Sequence, residues 1–401
     1  MTPLAPRMTR FKPSASTEAS ARARALISAG RDIVDLSIGE PDFPTPDNVK
    51  DAVARAMANN ETHYTNTGGT PAVNAAVRQK FLRDNRLDFA QDEVMASAGA
   101  KHAMFNAFMC TVSRGDEVIV PSPFWISYPN QVELAGGTPV IVECGAEDGY
   151  KLRAAALGRA ITDKTRWVVL NSPNNPTGAV YSRQELREIA DVLLEHPGVL
   201  VLSDEIYEHF LYEAAAHVSI LQVEPMLKDR TVIVNGVSKA YAMTGWRIGC
   251  VAAHRDMIKA MSKLQSQSTS CPSSISQAAA VEAFSGPQDA VACMMAQMRR
   301  RRELILGILR PINGLVIAPP DGAMYLFCNI EAFLGLKTPK GDVIENDLDF
   351  AGHLLSDAGV DVIPGAAYGA SGHFRLSFAT SDELLKKAGR RIRDACRSLT
   401  A

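Results

Sequence analysis

Four short segments of the chain carry residue types that could do chemistry together. In Asn235-Gly-Val-Ser-Lys-Ala-Tyr-Ala-Met-Thr-Gly-Trp-Arg-Ile-Gly249, Lys239 follows the apolar run Thr231 to Val234, and Arg247 comes eight residues later. A lysine among small and apolar residues can have its pKa lowered, which suits it to nucleophilic attack on a carbonyl and Schiff-base formation. In Val201-Leu-Ser-Asp-Glu-Ile-Tyr207, Asp204 ends a buried run. A carboxylate there is costly unless paired, and a protonated heterocyclic nitrogen would be a partner; capping of the next helix is the plainer use. In Asn171-Ser-Pro-Asn-Asn-Pro-Thr-Gly178, prolines and glycine fix a turn that aims an amide from the end of Trp167 to Leu170. In Ser97-Ala-Gly-Ala-Lys101, small residues run straight into the helix-like stretch His102 to Thr111. Backbone N–H groups can approach an anion at such a helix N-terminus, although a tight strand-to-helix turn would look the same.

Each segment alone is weak, and the combination is specific. It supplies an anion cradle, an acid for a pyridinium, an amide and a phenol, a nucleophilic lysine and a guanidinium. That is the inventory for pyridoxal phosphate, for which a lysine and an acidic partner to the ring nitrogen are the protein's expected contributions. No G-x-G-x-x-G follows an early strand and no G-K-[ST] ends a loop, which argues against a nicotinamide-dependent oxidoreductase or a P-loop. The eight histidines show no ligand spacing, so no metal site is expected.

The elements that must position these residues follow from the rhythm of the middle of the chain. Apolar runs at Glu117 to Val120, Pro139 to Val142, Trp167 to Leu170, Val199 to Leu202, Thr231 to Val234 and Gly249 to Ala253 alternate with helix-like stretches. Those stretches are Lys101 to Thr111, Arg183 to Glu195 and Arg255 to Leu264. Near-continuous apolar strands separated by helices predict an α/β fold: a mostly parallel sheet with helices on both faces. Function then gathers in the loops at the strands' carboxyl ends. Past a long helical pattern at Pro287 to Leu309, strand-like pieces at Gly314 to Ile317, Ala323 to Asn329, Val360 to Ile363 and Phe374 to Phe378 predict a smaller α+β domain. Lys337 to Asp347 reads as a surface loop.

Bulk properties restrict the remaining classes. A formal net charge of -2 gives no sign of nucleic acid or a membrane surface as partner. The run Arg299 to Arg302 reads as the solvated side of a helix. Seven cysteines with no C-x-x-C read as free thiols in a reducing compartment. With a polar, basic start and no apolar run long enough to span a bilayer, a cytoplasmic enzyme is expected.

The order Gly39-Glu-Pro-Asp-Phe43, Tyr64-Thr-Asn-Thr-Gly-Gly69, Pro123-Phe-Trp125, Asn174-Asn-Pro-Thr-Gly178, Ser203-Asp-Glu-Ile-Tyr207, Ser238-Lys239 and Phe374-Arg375-Leu376 resembles class-I aminotransferases of the pyridoxal-phosphate fold type I. Within them it is most similar to the bacterial aspartate or aspartate-prephenate branch. The resemblance runs from about Phe11 to Leu399. It implies that Lys239 binds the cofactor covalently and then moves the proton at the substrate Cα. Asp204 would keep the pyridine nitrogen protonated, Trp125 would stack on the ring, and Asn175 and Tyr207 would bond its 3′ oxygen. Arg247, Ser238 and the Gly99-Ala100 turn would hold the phosphate, joined by Tyr64 from a neighbouring subunit of a homodimer. Arg375 would grip the substrate α-carboxylate, with Gly39, Trp125 and Asn175 beside it; Lys101 is a candidate for a distal carboxylate, and Lys12, which resembles the same branch, is a further substrate-binding candidate.

The resemblance also implies a large cofactor-binding domain over residues 48–300 and a small domain from residues 1–47 and 301–401. The expected reaction moves an amino group from an L-amino acid, aspartate first, to a 2-oxo acid such as 2-oxoglutarate by a ping-pong route. The alternatives are an aminotransferase preferring prephenate, aromatic or other amino acids, a lyase or oxidase on the same fold, and a regulator that binds the cofactor without turnover. Gly236, Ala100 and His102 depart from residues common in relatives, and these departures bear on strict aspartate specificity.

Overall fold

A computed structural model describes residues 4–9, 11, 15–212 and 216–401, with nothing drawn from the side chains of 15–18 and 20. Its strands, in chain order, begin with β1 (Val34–Asp35), β2 (Val94–Ser97), β3 (Glu117–Ser122), β4 (Thr138–Glu143), β5 (Thr165–Asn171), β6 (Leu200–Asp204), β7 (Thr231–Gly236) and β8 (Gly249–Ala252). There follow β9 (Val316–Ile317), β10 (Tyr325–Asn329), β11 (Val360–Asp361), β12 (Ile363–Pro364) and β13 (His373–Ser377).

Seven strands form one sheet in the order β2-β8-β7-β6-β5-β3-β4. Strands β4, β3, β5, β6 and β7 pair in parallel, and β8 runs antiparallel to both β7 and β2. The apolar runs lack a polar face because alternate side chains enter two different cores. Val118, Val120, Val169, Leu202, Val232, Val234 and Val251 pack on one side, against the helix Ala100–Thr111. Ile119, Val168, Leu170, Val201, Ile233 and Cys250 pack on the other, against the helices Pro71–Asn85, Arg183–Glu195 and Ser274–Ser285. Each such fully buried side chain contributes about 1.5–3 kcal/mol of transfer free energy.

Local signals set the helix starts. Ser182 accepts from the Glu185 amide at 3.2 Å while the Glu185 carboxylate accepts from the Ser182 amide at 2.8 Å, so two orphan donors are satisfied at one end. Thr70 caps the helix that opens at Pro71, accepting from the Val73 amide.

The four-stranded sheet, in the order β12-β13-β10-β9, sits with a third core built around Phe350, Phe374, Leu326 and Ile392. The 21-residue helix Asp289–Leu309 packs against the final helix Asp382–Ser398. The N-terminal strand β1 pairs in parallel with β11, so the start of the chain joins its end. The expected single run Val360 to Ile363 divides at Val362: β11 takes β1 as partner and β12 takes β13.

Candidate active site

Sheet topology brings the sequence segments to one edge. The carboxyl ends of β2, β5, β6 and β7 lie together, and antiparallel β8 starts there, with Ser97 opposite Gly249, Asn171 opposite Asp204 and Gly236 opposite Gly249. A cleft of about 280 Å³ opens at this edge; facing one another across it are Lys239, Asp204, Trp125, Arg247, Tyr207 and Arg375.

Lys239 stands on the turn after β7, and its Nζ donates to the Gly39 carbonyl, brought in by the N-terminal segment. Burial pushes its ammonium down to about 8; the Glu40 carboxylate opposes that shift, and the Arg375 and Arg247 guanidiniums add to it. A lysine poised there is partly neutral near physiological pH, as a nucleophile or a base must be.

Asp204, 3% exposed, ends β6. Its carboxylate accepts from the Tyr128 hydroxyl at 2.5 Å and from the Ile206 amide at 3.2 Å, so it does cap the following turn. Those donors are neutral, and burial raises its pKa to about 6 in spite of them. A buried acid with no cation at contact distance among the described residues is suited to a ligand that brings one.

Asn171 binds the Asp204 carbonyl through its side chain and accepts from the Asn175 amide, which fixes the turn above the cleft. The Asn175 side-chain oxygen accepts from Arg375 Nη1 at 3.2 Å. Arg375, on β13 and 2% exposed, also donates to the Ser37 carbonyl, and its Nε has no hydrogen-bond partner among the described residues. Its guanidinium lies over the rings of Tyr325 and Tyr368, 4.4 and 5.3 Å from their centroids. A guanidinium held this way offers donors to an incoming carboxylate.

The anion cradle is formed where Gly99, Ala100 and Arg247 meet. Gly99 has φ +95 and caps the helix that starts at Ala100. A Cβ on it would collide with the Arg247 guanidinium, and one on Gly249 would collide with the Ala100 backbone. Close approach of backbone amides, a helix N-terminus and a guanidinium is the geometry that binds a phosphate. Arg247 is held by its own bond to the Thr244 carbonyl at 2.8 Å, and Ser238 lines the same wall.

Trp125 meets Tyr128 edge to face at 5.3 Å, and the Lys101 ammonium sits 5.0 Å over the Trp125 ring. Partial burial, helped by the like charge of Arg247, lowers the Lys101 pKa. Tyr207 bonds the phenol of Tyr325 at 2.6 Å. The cleft thus gathers Gly39, Ala100, Lys101, Trp125, Asn175 and Ser238 as well as the charged groups, with Gly99 behind Arg247. Tyr64 is elsewhere, 90% exposed beside Arg55, His63 and Gln277, and Lys12 lies outside the described residues.

Tyr128, Tyr325 and Thr244 belong to the cleft or its support and were not singled out from sequence. Tyr128 lies three residues after Trp125 on the helix Ser127–Ala135, so the aromatic pair itself was the available signal.

A mostly parallel sheet with a lysine, a buried acid and a guanidinium beside a helix N-terminus at its carboxyl edge places the chain among α/β enzymes. Residues 31–392 match the family model for aminotransferase class I and II, and the chain belongs to that family. An aspartate aminotransferase from Rhizobium meliloti is 48% identical over 95% of this chain and 93% of its own length. A probable aspartate/prephenate aminotransferase from Rickettsia felis is 46% identical over 100% of this chain and 98% of its own. The crystal structure of the Rhizobium meliloti aspartate aminotransferase superposes with a TM-score of 0.97 at 47% identity, covering 100% of both chains. That of the Thermus thermophilus enzyme with maleate gives 0.92 at 42% identity over 98% of this chain and 100% of its own. The fold is that of these aminotransferases.

Proposed function

We propose that this aminotransferase uses pyridoxal phosphate, bound covalently at Lys239, to transfer the amino group of aspartate to a 2-oxo acid such as 2-oxoglutarate. The observation that carries the reading is the pairing, across one cleft, of a lysine lowered to about 8 and a buried carboxyl raised to about 6. When bound, pyridoxal phosphate supplies an aldehyde for the amine and a pyridinium that accepts the electron pair of the breaking Cα–H bond.

The chain's own residues do the rest. Arg247, Ser238 and the Gly99-Ala100 turn would hold the phosphate, and Trp125 would cover one face of the ring. Asp204, held by Tyr128, would keep a proton on the ring nitrogen. Asn175 and Tyr207 would donate to the ring hydroxyl oxygen. Arg375 and the Gly39 backbone orient the α-carboxylate, so that the Cα–H bond points at Lys239 Nζ. As a free amine, Lys239 Nζ would take that proton and return it on the other side of the exchange. Lys101, beside Trp125, attracts the second carboxylate of a dicarboxylic substrate. The Rhizobium and Thermus relatives, both named for aspartate, support that donor.

Two structural proposals accompany the reaction. The N-terminal segment 1–47 and residues 301–401 act as a small domain over the large domain 48–300. Supporting this, Asp42 accepts two bonds from Arg301 at 2.6 and 3.1 Å, and β1 pairs with β11. The enzyme is a homodimer in which Tyr64, exposed in the single chain, reaches the phosphate of the other copy's site. Seven free cysteines support a cytoplasmic location; no helix among the described residues is long and apolar enough to cross a membrane.

A second reading, preference for prephenate or aromatic amino acids, is favoured by the Rickettsia relative's name and by the exposure of Lys101, which can swing aside. Mixing the loaded enzyme with single amino acids, and following the cofactor's visible absorbance, separates the two. Rapid bleaching by aspartate, reversed by 2-oxoglutarate, is expected. Bleaching mainly by aromatic donors would replace the donor and keep the mechanism.

A further inference from the structure

Tyr325 opens β10 opposite Ser377, so Arg375, two residues away on β13, is its diagonal neighbour on the same face. Its side chain is 1% exposed and lines the cleft. Three groups assigned to the reaction touch it. Its ring lies under the Arg375 guanidinium at 4.4 Å, and its phenol bonds the Tyr207 phenol at 2.6 Å, the rings meeting edge-on at 81°. Its oxygen also leaves no room for a side chain at Gly39, where a Cβ would lie 2.7 Å away, and the Gly39 carbonyl accepts from Lys239 Nζ.

Two phenols facing one another leave the direction of the shared bond open. An acceptor placed in the cleft beside Tyr207 decides it. If Tyr207 gives its proton to that acceptor, its oxygen is free to receive one, and Tyr325 is the donor in place. A phenol that receives a hydrogen bond gives a stronger one. Burial raises the pKa of both phenols, Tyr207 the more strongly, so each hydroxyl keeps a proton to donate and the acceptor in the cleft sets the direction.

We propose that Tyr325 is a positioning residue whose phenol donates to Tyr207, turning the Tyr207 proton into the cleft, while its ring holds Arg375 at the carboxylate-binding position. The proposal rests on the reading of the cleft as a pyridoxal-phosphate site. Its consequence is a division of labour within one side chain: the hydroxyl tunes the cofactor and the ring places the substrate's carboxylate.

The test uses the loaded enzyme and reads the pH midpoint of the cofactor's visible band, then KM and kcat. Tyr325→Phe keeps the ring and removes the donor. With weaker donation from Tyr207, the cofactor oxygen is more basic and holds the neighbouring proton more tightly, so the midpoint should rise by about half a pH unit. KM should change little. Tyr325→Leu should add a rise in KM for amino acid and keto acid alike, larger than its effect on kcat. In a Tyr207→Phe background, Tyr325→Phe should shift the midpoint no further. An unmoved midpoint in Tyr325→Phe, or an equal shift in the Tyr207→Phe background, overturns the proposal. If Tyr325→Phe does not fold, Tyr207→Phe decides: an unmoved midpoint there refutes the tuning of the cofactor oxygen. Absence of a visible band in the unaltered protein would instead overturn the cofactor reading, a distinguishable failure.

Discussion

Asp204 costs the cofactor-free protein stability, and that cost has a definite pH window. Its folded pKa of about 6 stands above the ordinary carboxylate value of 3.8. Between those values the folded state binds more protons than the unfolded state, so stability falls as pH rises through the window. Above about 6 the penalty is fully present; below the unfolded value it vanishes. Asp204→Asn, measured by urea denaturation without cofactor, should therefore be more stable than the parent at pH 7.5 and equal to it near pH 3.5. The same substitution should lower turnover by 10²-fold or more, on the order of what a positioned proton-transfer group contributes. Greater stability with less activity is the signature of a group kept for function. An Asp204→Asn protein less stable at pH 7.5 would show that the acid is a structural cap.

Lys239, Asp204, Asn175 and Arg247 were legible as residues because each is a polar group at the end of an apolar run, where a fold must have a reason to place it. Tyr128 and Tyr325 were not, because an aromatic residue among apolar neighbours is the ordinary content of a core. Their hydroxyls matter only through partners, Asp204 and Tyr207, that lie far away in sequence.

Among the elements, β7 is tied to its neighbours by a buried polar network. Glu208 accepts from Lys80, from the Asn85 side chain at 2.7 Å and from the Asn235 side chain at 2.9 Å, and Lys80 is 1% exposed. The Lys80 ammonium and nearby histidines hold the Glu208 carboxyl far below its usual range, against the opposing effect of burial. Its contribution is thus fully present above the ordinary carboxylate value of 4.5 and is lost progressively as the pH falls below it. Glu208→Gln would leave Lys80 buried without its counter-charge. It should cost about 3–5 kcal/mol of unfolding free energy in chemical denaturation. A loss below 1 kcal/mol would mean that the network does not brace β7, the strand that leads into the Lys239 turn.

The strands of the large sheet were legible because both faces are covered, which gives the unbroken apolar runs. The helices Asp47–Ala58 and Pro71–Asn85 were not singled out. In the second, the buried positions Val73, Ala76, Val77, Lys80 and Phe81 have helical spacing, but a charged Lys80 on that face and an exposed Leu82 blur the amphipathic pattern, and only the Thr70-Pro71 start signals it. The split of β11 from β12 was hidden because two different sheets take consecutive residues of one apolar run.

At the scale of the whole molecule, one exposed residue carries the case for two subunits. Tyr64 is 90% exposed and far from the cleft of its own chain, although its segment belongs to the motif set. A charge-assisted hydrogen bond to phosphate is worth about 1.5–3 kcal/mol, so Tyr64→Ala should weaken cofactor binding by about 10- to 100-fold. Mixing inactive Lys239→Ala protein with Tyr64→Ala protein should restore activity, because a mixed dimer assembles one site with both residues. No recovery after subunit exchange would place Tyr64 outside the site. Neither the proposed dimer nor the proposed sharing is visible in one chain's composition, because Tyr64 looks like any exposed tyrosine.

Every other role proposed for the cleft depends on Lys239 carrying the cofactor. Loading the protein with pyridoxal phosphate, reducing it with borohydride and mapping the labelled peptide tests it directly. The expected result is one label per chain on Lys239, lost in Lys239→Ala. Label on Lys101, or spread over surface lysines at the same level in parent and variant, would contradict it.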